Sequence, residues 1–357
     1  MDRSQLGWER SHDNGAIMPR PPHQRTTIIE VARQAGASKT SVSRYFSGER
    51  ERLSPDLQGR VAEAARRLGY RPNRMASGLK GGRSRLIGML VADIRNPFSV
   101  AVMHGVEQAC RERGLSLMVC NTDNDPAQER EHLALLASYR VEGLVINAVG
   151  SPDRELQALV DQGTPLVLLE RELGEVEAEV VGLDNARALD LALDHLQTRG
   201  YGELLYLSEP PEQASPRQAR LMRFLQGIAA RDLVGEVHCR PLGEREALHR
   251  AIGDFLAGPG TAPRALLCAN GNATLAATRA LQELGARLGE TGLLGIDELD
   301  WCALVGPGIT TLAQPTEAIG RAAVECLMRR REAGECTTPS RRVQFQASLI
   351  SRGSTRR

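Results

Sequence analysis

The 357-residue chain is short of several residue types and patterns, and each shortage excludes a class of protein. Its seven cysteines stand singly at positions 110, 120, 239, 268, 302, 326 and 336 with no C-x-x-C, so neither a disulfide framework nor a zinc site is indicated, and they read as buried thiols. The seven histidines make no H-E-x-x-H and no other pairing at ligand spacing, so neither a metal nor a cofactor is expected. No apolar run approaches the roughly 18–20 residues that span a bilayer. The first 19 residues mix Asp, Arg, Glu and His without the continuous apolar core of a signal peptide, and a cytoplasmic location follows. Phosphate-binding loops, G-x-G-x-x-G, G-x-S-x-G after a strand and nucleophile–base pairs are all missing, which argues against an enzyme. Aromatic residues number only 12, and lysines only two.

What is present is a charge asymmetry. Residues 1–85 hold 17 Lys and Arg against 8 Asp and Glu, a balance of +9, while the remaining 272 residues carry 28 against 36, or −8. Both lysines, Lys39 and Lys80, fall in the basic head. Cationic side chains gain affinity for a polyanion by releasing counterions from phosphates, so the head reads as a nucleic-acid footprint and the chain as nucleoid-associated. The length suits two or three domains.

Within the head, TIIEVARQAGASKTSVSRYFSG predicts a helix over 28–35 with Thr27 and Glu30 as a capping box, a turn at Gly36, and a second helix capped by Ser38 and running to about Phe46. Ile28, Val31, Ala32, Ala37 and Val42 face inward. This is a helix-turn-helix whose second helix offers Lys39, Thr40 and Arg44 to base edges, Arg44 having the fork that suits guanine. Ser38, Ser41 and Ser43 reach phosphates or cap helices, and Thr27, Tyr45 and Asn73 complete the candidate DNA-contacting set. A third helix spans 55–68 before GYRPNRMASGLKGGRSRLIG.

AGxSxxxVSR, then LGYRPN, then Ala-x-x-Leu ahead of LIGMLV resemble the LacI/GalR family of bacterial transcription regulators. The resemblance implies that the segment after GYRPN becomes a hinge helix on operator DNA, with Ala76 and Leu79 at the minor-groove wedge and Lys80 beside them. Unstacking base steps costs a few kcal/mol, offset by the bent DNA meeting more protein. Gly78, Gly81 and Gly82 make that segment a poor autonomous helix, so its order depends on DNA and dimer contacts. A plain flexible linker is the alternative. The resemblance begins near residue 25, leaving 1–24 as a disordered extension with Met18 a candidate start.

From residue 85 short apolar strands alternate with amphipathic helices, the pattern of βα winding. The expected architecture is α/β: a small all-α head (25–72), a hinge (73–84), a two-lobed effector and dimerisation domain of two parallel doubly wound sheets (85–352), and a tail (353–357). The chain exchanges lobes near 184 and 315, three crossings in all. NPFS, VGLDN, CAN, GID and ITTLAQP extend the resemblance to the family's effector domain, itself similar to periplasmic sugar-binding proteins.

That resemblance implies sugar contacts from Arg220, Asn270, Asp297 and Gln314, each able to hold hydroxyls. Phe98 and Trp301 are candidates to stack on a sugar face or to pack in the core. Arg95, Arg171, Arg220 and Arg223 suit an anionic effector better than a neutral hexose. Two departures, Gly271 for a usual Asp and Arg223 for a usual Gly, alter charge near the cleft.

RLIGMLVADIRNPFSVAVMHGVE, VVGLDN, ALLCANGNATLAATRAL and GIDELDW resemble the branch of the family responsive to 2-ketogluconate. The expectation is a repressor of its own gene and of ketogluconate uptake and catabolism genes. It binds a pseudo-palindromic operator in double-stranded DNA as a homodimer, since no heptad tail follows GSTRR, and 2-ketogluconate releases it. A regulator answering to another sugar or sugar phosphate as co-repressor is the alternative. A transport protein or an enzyme bearing a DNA-binding head are the rivals from other classes.

Overall fold

A computed structural model of the protein describes residues 26–71, 84–150, 153–171, 178–333 and 341–356. The chain divides into two units, Met1–Gly82 and Arg83–Arg357. The first is built on α1 (Ile28–Gln34), α2 (Lys39–Ser47) and α3 (Pro55–Arg67). Thr27 and Glu30 close the capping box on α1, and Ser38 and Ser54 cap α2 and α3 with their hydroxyls. Gly36 makes the turn at φ +57°, a conformation that costs other residues more. Arg60 of α3 donates to the Ala35 carbonyl at 2.9 Å and so fastens that turn. Val31, Ala32, Val42, Val61, Ala64 and Ala65 form the core, which places α2 with Lys39, Thr40, Ser43 and Arg44 exposed.

The second unit has two six-stranded sheets. In lobe 1, β1 (Leu86–Val91), β2 (Ser116–Asn121), β3 (Leu144–Ile146), β4 (Leu166–Leu169), β5 (Glu179–Leu183) and β11 (Arg342–Phe345) lie in the order β11-β5-β4-β3-β1-β2, every pair parallel. In lobe 2, β6 (Glu203–Ser208), β7 (Val234–Cys239), β8 (Arg264–Cys268), β9 (Gly292–Ile296), β10 (Thr310–Ala313) and β12 (Ser348–Ile350) lie in the order β12-β10-β9-β8-β6-β7. Helices α4 (Pro97–Glu112), α5 (Pro126–Ser138), α6 (Asp153–Asp161) and α11 (Thr316–Ala333) belong to lobe 1. Helices α7 (Asn185–Thr198), α8 (Ser215–Ala229), α9 (Arg245–Ala257) and α10 (Gly271–Glu283) belong to lobe 2. The central strands β4 and β9 are buried along their whole length and β1 along all but its first residue, as strands covered by helices on both faces must be.

The chain passes from β5 into α7, from β10 back into α11, and from β11 through Gln346 and Ala347 into β12. One expectation needs correction: lobe 2 is not wholly parallel, because β12 pairs antiparallel with β10. Apart from β12, the strands of both lobes point their carboxyl ends toward the shared cleft. A strand that leaves lobe 1 and enters lobe 2 without a helical connection keeps its heading, and therefore opposes its new neighbours. The segment read as a tail is also structural. Ser354 and Thr355 are buried, Ser354 Oγ donates to the Leu293 carbonyl at 2.6 Å, and Thr355 Oγ1 lies 2.8 Å from His195 Nε2. Of the cysteines, Cys110, Cys120, Cys268, Cys302 and Cys326 are buried, whereas Cys239 on the edge strand β7 is half-buried and Cys336 lies outside the described residues.

Helices α4 and α11 meet through glycines. A Cβ on Gly320 would fall 2.4 Å from the Val102 carbonyl oxygen, and one on Gly105 would fall 2.5 Å from that of Glu317. Backbone cannot yield as a side-chain end can, so Gly320→Ala is expected to lower stability by about 1–3 kcal/mol in urea denaturation. Gly59→Ala, in open space on α3, is the control and should be neutral or stabilising. Equal midpoints for the two variants would show that the close crossing does not hold lobe 1 together.

Candidate functional site

In the head, the residues expected to read DNA divide by role. Ser38 is occupied as a cap, its Oγ accepting from the Ser41 N–H and standing 3.0 Å from Ser41 Oγ. Thr27 is likewise held by Glu30. Tyr45 is half-buried, its ring edge-on to Phe46 with the Arg50 guanidinium 4.3 Å above it. Lys39, Thr40 and Ser43 are exposed, and Arg44 is exposed with only a long 4.0 Å pairing to Glu49. Asn73, Ala76, Leu79 and Lys80 lie outside the described residues.

The second site forms where strand ends of the two lobes converge. Arg220, from the inner face of α8, is 6% exposed; its Nε donates to Asn185 Oδ1 and its Nη1 to the Ala269 carbonyl, both at 2.6 Å. Asn185 opens α7 immediately after the crossing from lobe 1. Beyond it lies Glu170, at the end of β4, which accepts from the Leu183 N–H at 2.7 Å and from Asn185 Nδ2 at 3.5 Å. A chain of polar contacts thus runs from lobe 1 through the crossing into lobe 2. Burial pushes the Glu170 carboxyl above its ordinary range, and the nearby Asp297 adds to this, against the attraction of Arg220.

Asp297, after β9, uses both oxygens: Oδ2 accepts from the Gly271 N–H at 2.9 Å and Oδ1 from Gln314 Nε2 at 2.6 Å. Asn270 caps α10 through Oδ1 and donates Nδ2 to Glu209 at 2.6 Å, and Glu209 is also paired with Arg217. Glu170 and Asp297 both adopt positive φ, +63° and +83°. Such backbone strain in non-glycine residues is held only where the surroundings over-determine it, and it clusters at binding sites. Gln314 Oε1 is buried here without a hydrogen-bond partner.

Arg220, Asn270, Asp297 and Gln314 are therefore brought together. Arg171 is half-buried nearby in sequence to Glu170, donating to the carbonyls of Ala148 and Val149 at 2.6 and 2.5 Å, and desolvation lowers its pKa. Arg95 and Arg223 are not free cations for a ligand: Arg95 is exposed between Asp93 and Asp123, and Arg223 is bidentate on Asp190. Phe98 and Trp301 are half-buried against the cores of lobes 1 and 2. Glu170, Asn185, Glu209 and Arg217 were missed from sequence. The available signal was their place, since Glu170 and Glu209 directly follow strands and Asn185 and Arg217 sit in the first turn of the next helix. Among the described residues, no cluster of His, Cys, Asp or Glu is placed to hold a metal ion, and no helix is long and apolar enough to cross a membrane.

Two outcomes follow from the buried charges. Arg220→Ala leaves Asn185 and the Ala269 carbonyl without their donor and Glu170 without its cation, and is expected to cost about 3–5 kcal/mol in equilibrium unfolding. A raised folded-state pKa on Glu170 means a contribution that is complete below its ordinary 4.5 and is lost as pH rises through the higher folded value. Glu170→Gln should therefore gain stability relative to the parent between pH 5 and pH 8. A constant difference across that range would show that Glu170 does not titrate there.

A model of bacterial regulatory proteins of the lacI family matches residues 27–73, and one of periplasmic binding protein-like domains matches 193–355. The HTH-type transcriptional regulator PtxS of Pseudomonas aeruginosa is 52% identical over 344 residues, 96% of this chain and 98% of that one. The HTH-type transcriptional regulator KdgR of Bacillus subtilis is 38% identical over 332 residues, 92% and 97% of the two chains. The lac repressor dimer bound to operator and the anti-inducer ONPF superposes with a TM-score of 0.80 at 20% identity, over 94% of this chain and 100% of that one, a likeness of fold. With its helix-turn-helix head and two-lobed body, the chain belongs to the LacI family of bacterial transcriptional regulators and is a DNA-binding regulator rather than an enzyme.

Proposed function

We propose that the protein is a cytoplasmic, nucleoid-associated repressor that binds a pseudo-palindromic operator as a homodimer and is released by a sugar acid, 2-ketogluconate. It would thereby control its own gene and the genes of ketogluconate uptake and catabolism. The observation that carries the reading is the meeting of Arg220, Asn270, Asp297 and Gln314 at the strand ends, with Gln314 Oε1 left without a partner. A buried polar atom without a partner costs about 1–3 kcal/mol, which a hydroxyl-bearing ligand would offset. Half-identity to PtxS along the whole chain supports the same effector class.

Lys39, Thr40 and Arg44 read base edges, and Ser43 reaches phosphate, with the hinge residues Asn73, Ala76, Leu79 and Lys80 completing the contact. Thr27, Ser38 and Ser41 support the helices, and Tyr45 supports the Arg50 side of the head. Arg171 lines the cleft, and Arg95, Phe98 and Trp301 stand at its lips. A dimer is supported by exposed apolar side chains on both lobes: Val119 on edge strand β2, Val234 and Val237 on edge strand β7, and Met222 and Leu225 on α8. Effector binding closes the cleft and lowers DNA affinity, and by linkage DNA lowers effector affinity.

Fluorescence anisotropy on DNA from the gene's own upstream region, at fixed salt, tests this. Tight binding that 2-ketogluconate weakens, and that gluconate and glucose do not, is expected. Indifference to all three would sink the effector assignment, and absence of specific binding would sink the repressor reading. Arg44→Ala is expected to cost about 1–3 kcal/mol on the specific operator and to relax base preference at one position per half-site. An equal loss on specific and random DNA would make Arg44 a phosphate contact instead.

A further inference from the structure

Glu209 bridges two donors that belong to the starts of different helices, Arg217 of α8 and Asn270 at the cap of α10. It follows β6, is 19% exposed, and spans two donors: Asn270 Nδ2 at 2.6 Å on Oε2, and Arg217 Nη2 at 3.1 Å on Oε1. Asn270 has its Oδ1 committed to capping α10, so Nδ2 is the end it can offer a ligand, and Glu209 occupies it. Arg217 lies in the first turn of α8, whose N-cap, Ala214, brings no side-chain oxygen to the free end of the helix. The positive end of the helix dipole and the guanidinium together favour a carboxylate there. Ser215 Oγ, on the first residue of α8, is buried without a hydrogen-bond partner.

We propose that Glu209 is an internal stand-in for the carboxylate of the effector: Arg217 and Asn270 form the acid-reading end of the cleft, and an incoming sugar acid displaces Glu209 from them. The inference rests on the sugar-acid reading above and names the residues that separate an acid from its neutral counterpart. Two carboxylates cannot share the pair, since like charges at that distance repel. Affinity for the effector is therefore the outcome of a competition, and a neutral sugar, having no group to exchange for Glu209, leaves the bridge in place.

Isothermal titration of 2-ketogluconate into the full-length protein separates this role from a structural one by sign. Glu209→Gln, which keeps a hydrogen-bond acceptor and removes the rival charge, should tighten binding by about 10-fold, and Arg217→Gln should weaken it by about 10-fold. Weakening by both variants would overturn the stand-in and make the bridge a structural clamp. Should either variant fail to fold, a crystal structure of the parent protein with 2-ketogluconate decides. The effector carboxylate must lie on Arg217 and Asn270 with Glu209 turned away, and an intact Glu209–Asn270 bond overturns the proposal. If the parent protein binds glucose but no sugar acid, the effector reading falls and this inference with it; if it binds the acid while the bridge stays, only this inference falls.

Discussion

Burying the guanidinium of Arg220 is the constraint around which the two lobes are arranged. A charge taken from water needs its donors satisfied and a counter-charge near, or the site costs more than it contributes. Four separate stretches meet there: Asn185 just after the crossing, the carbonyl of Ala269 at the end of β8, and the acids Glu170 and Asp297 at the ends of β4 and β9. Each is fixed in turn by its own strand or cap. The positive φ of both acids shows backbone bent to bring carboxylates to one point. Because Glu170 belongs to lobe 1 and Arg220 to lobe 2, the same contacts that neutralise the charge also tie the crossing segment to both lobes.

Much of this was legible in sequence, for definable reasons. Thr27, Glu30 and Ser38 are local capping signals, and local signals survive into the fold unchanged. The alternation of strands and helices is periodic, and strands such as LIGMLV are apolar throughout because helices cover both faces. Arg220, Asn270, Asp297 and Gln314 came from motif resemblance and meet in space. Glu170, Glu209 and Arg217 did not: their place just after a strand or in the first turn of a helix is the signal they carry, and it singles them out only once the ends of distant strands are brought together. The antiparallel entry of β12 was hidden for the same reason: a three-residue strand carries no heading of its own.

The count of arginines was a weaker guide than their pairing. Arg95, Arg171, Arg220 and Arg223 gave four positive charges to the cleft on paper, yet Asp93, Asp123 and Asp190 neutralise two of them, and carbonyl oxygens hold Arg171. Net charge along the sequence therefore says little about which cations a ligand would find unpaired. In the basic head the opposite holds, because phosphates are read by many weak, exposed contacts that need no burial.

The glycine-to-glycine crossing of α4 and α11 bears on how the protein comes off the ribosome. Lobe 1 begins at Leu86, but its core contains Ile319, Val324 and Leu327 of α11, and its sheet is completed by β11 at Arg342–Phe345. Lobe 2 intervenes between them, and apart from β12 and the final turn it is complete by Ala313. Domains tend to fold in the order they are synthesised. Here the core and sheet of the amino-terminal lobe are not complete until α11 and β11, through Phe345, have been made, so the lobe synthesised second is the one able to fold first.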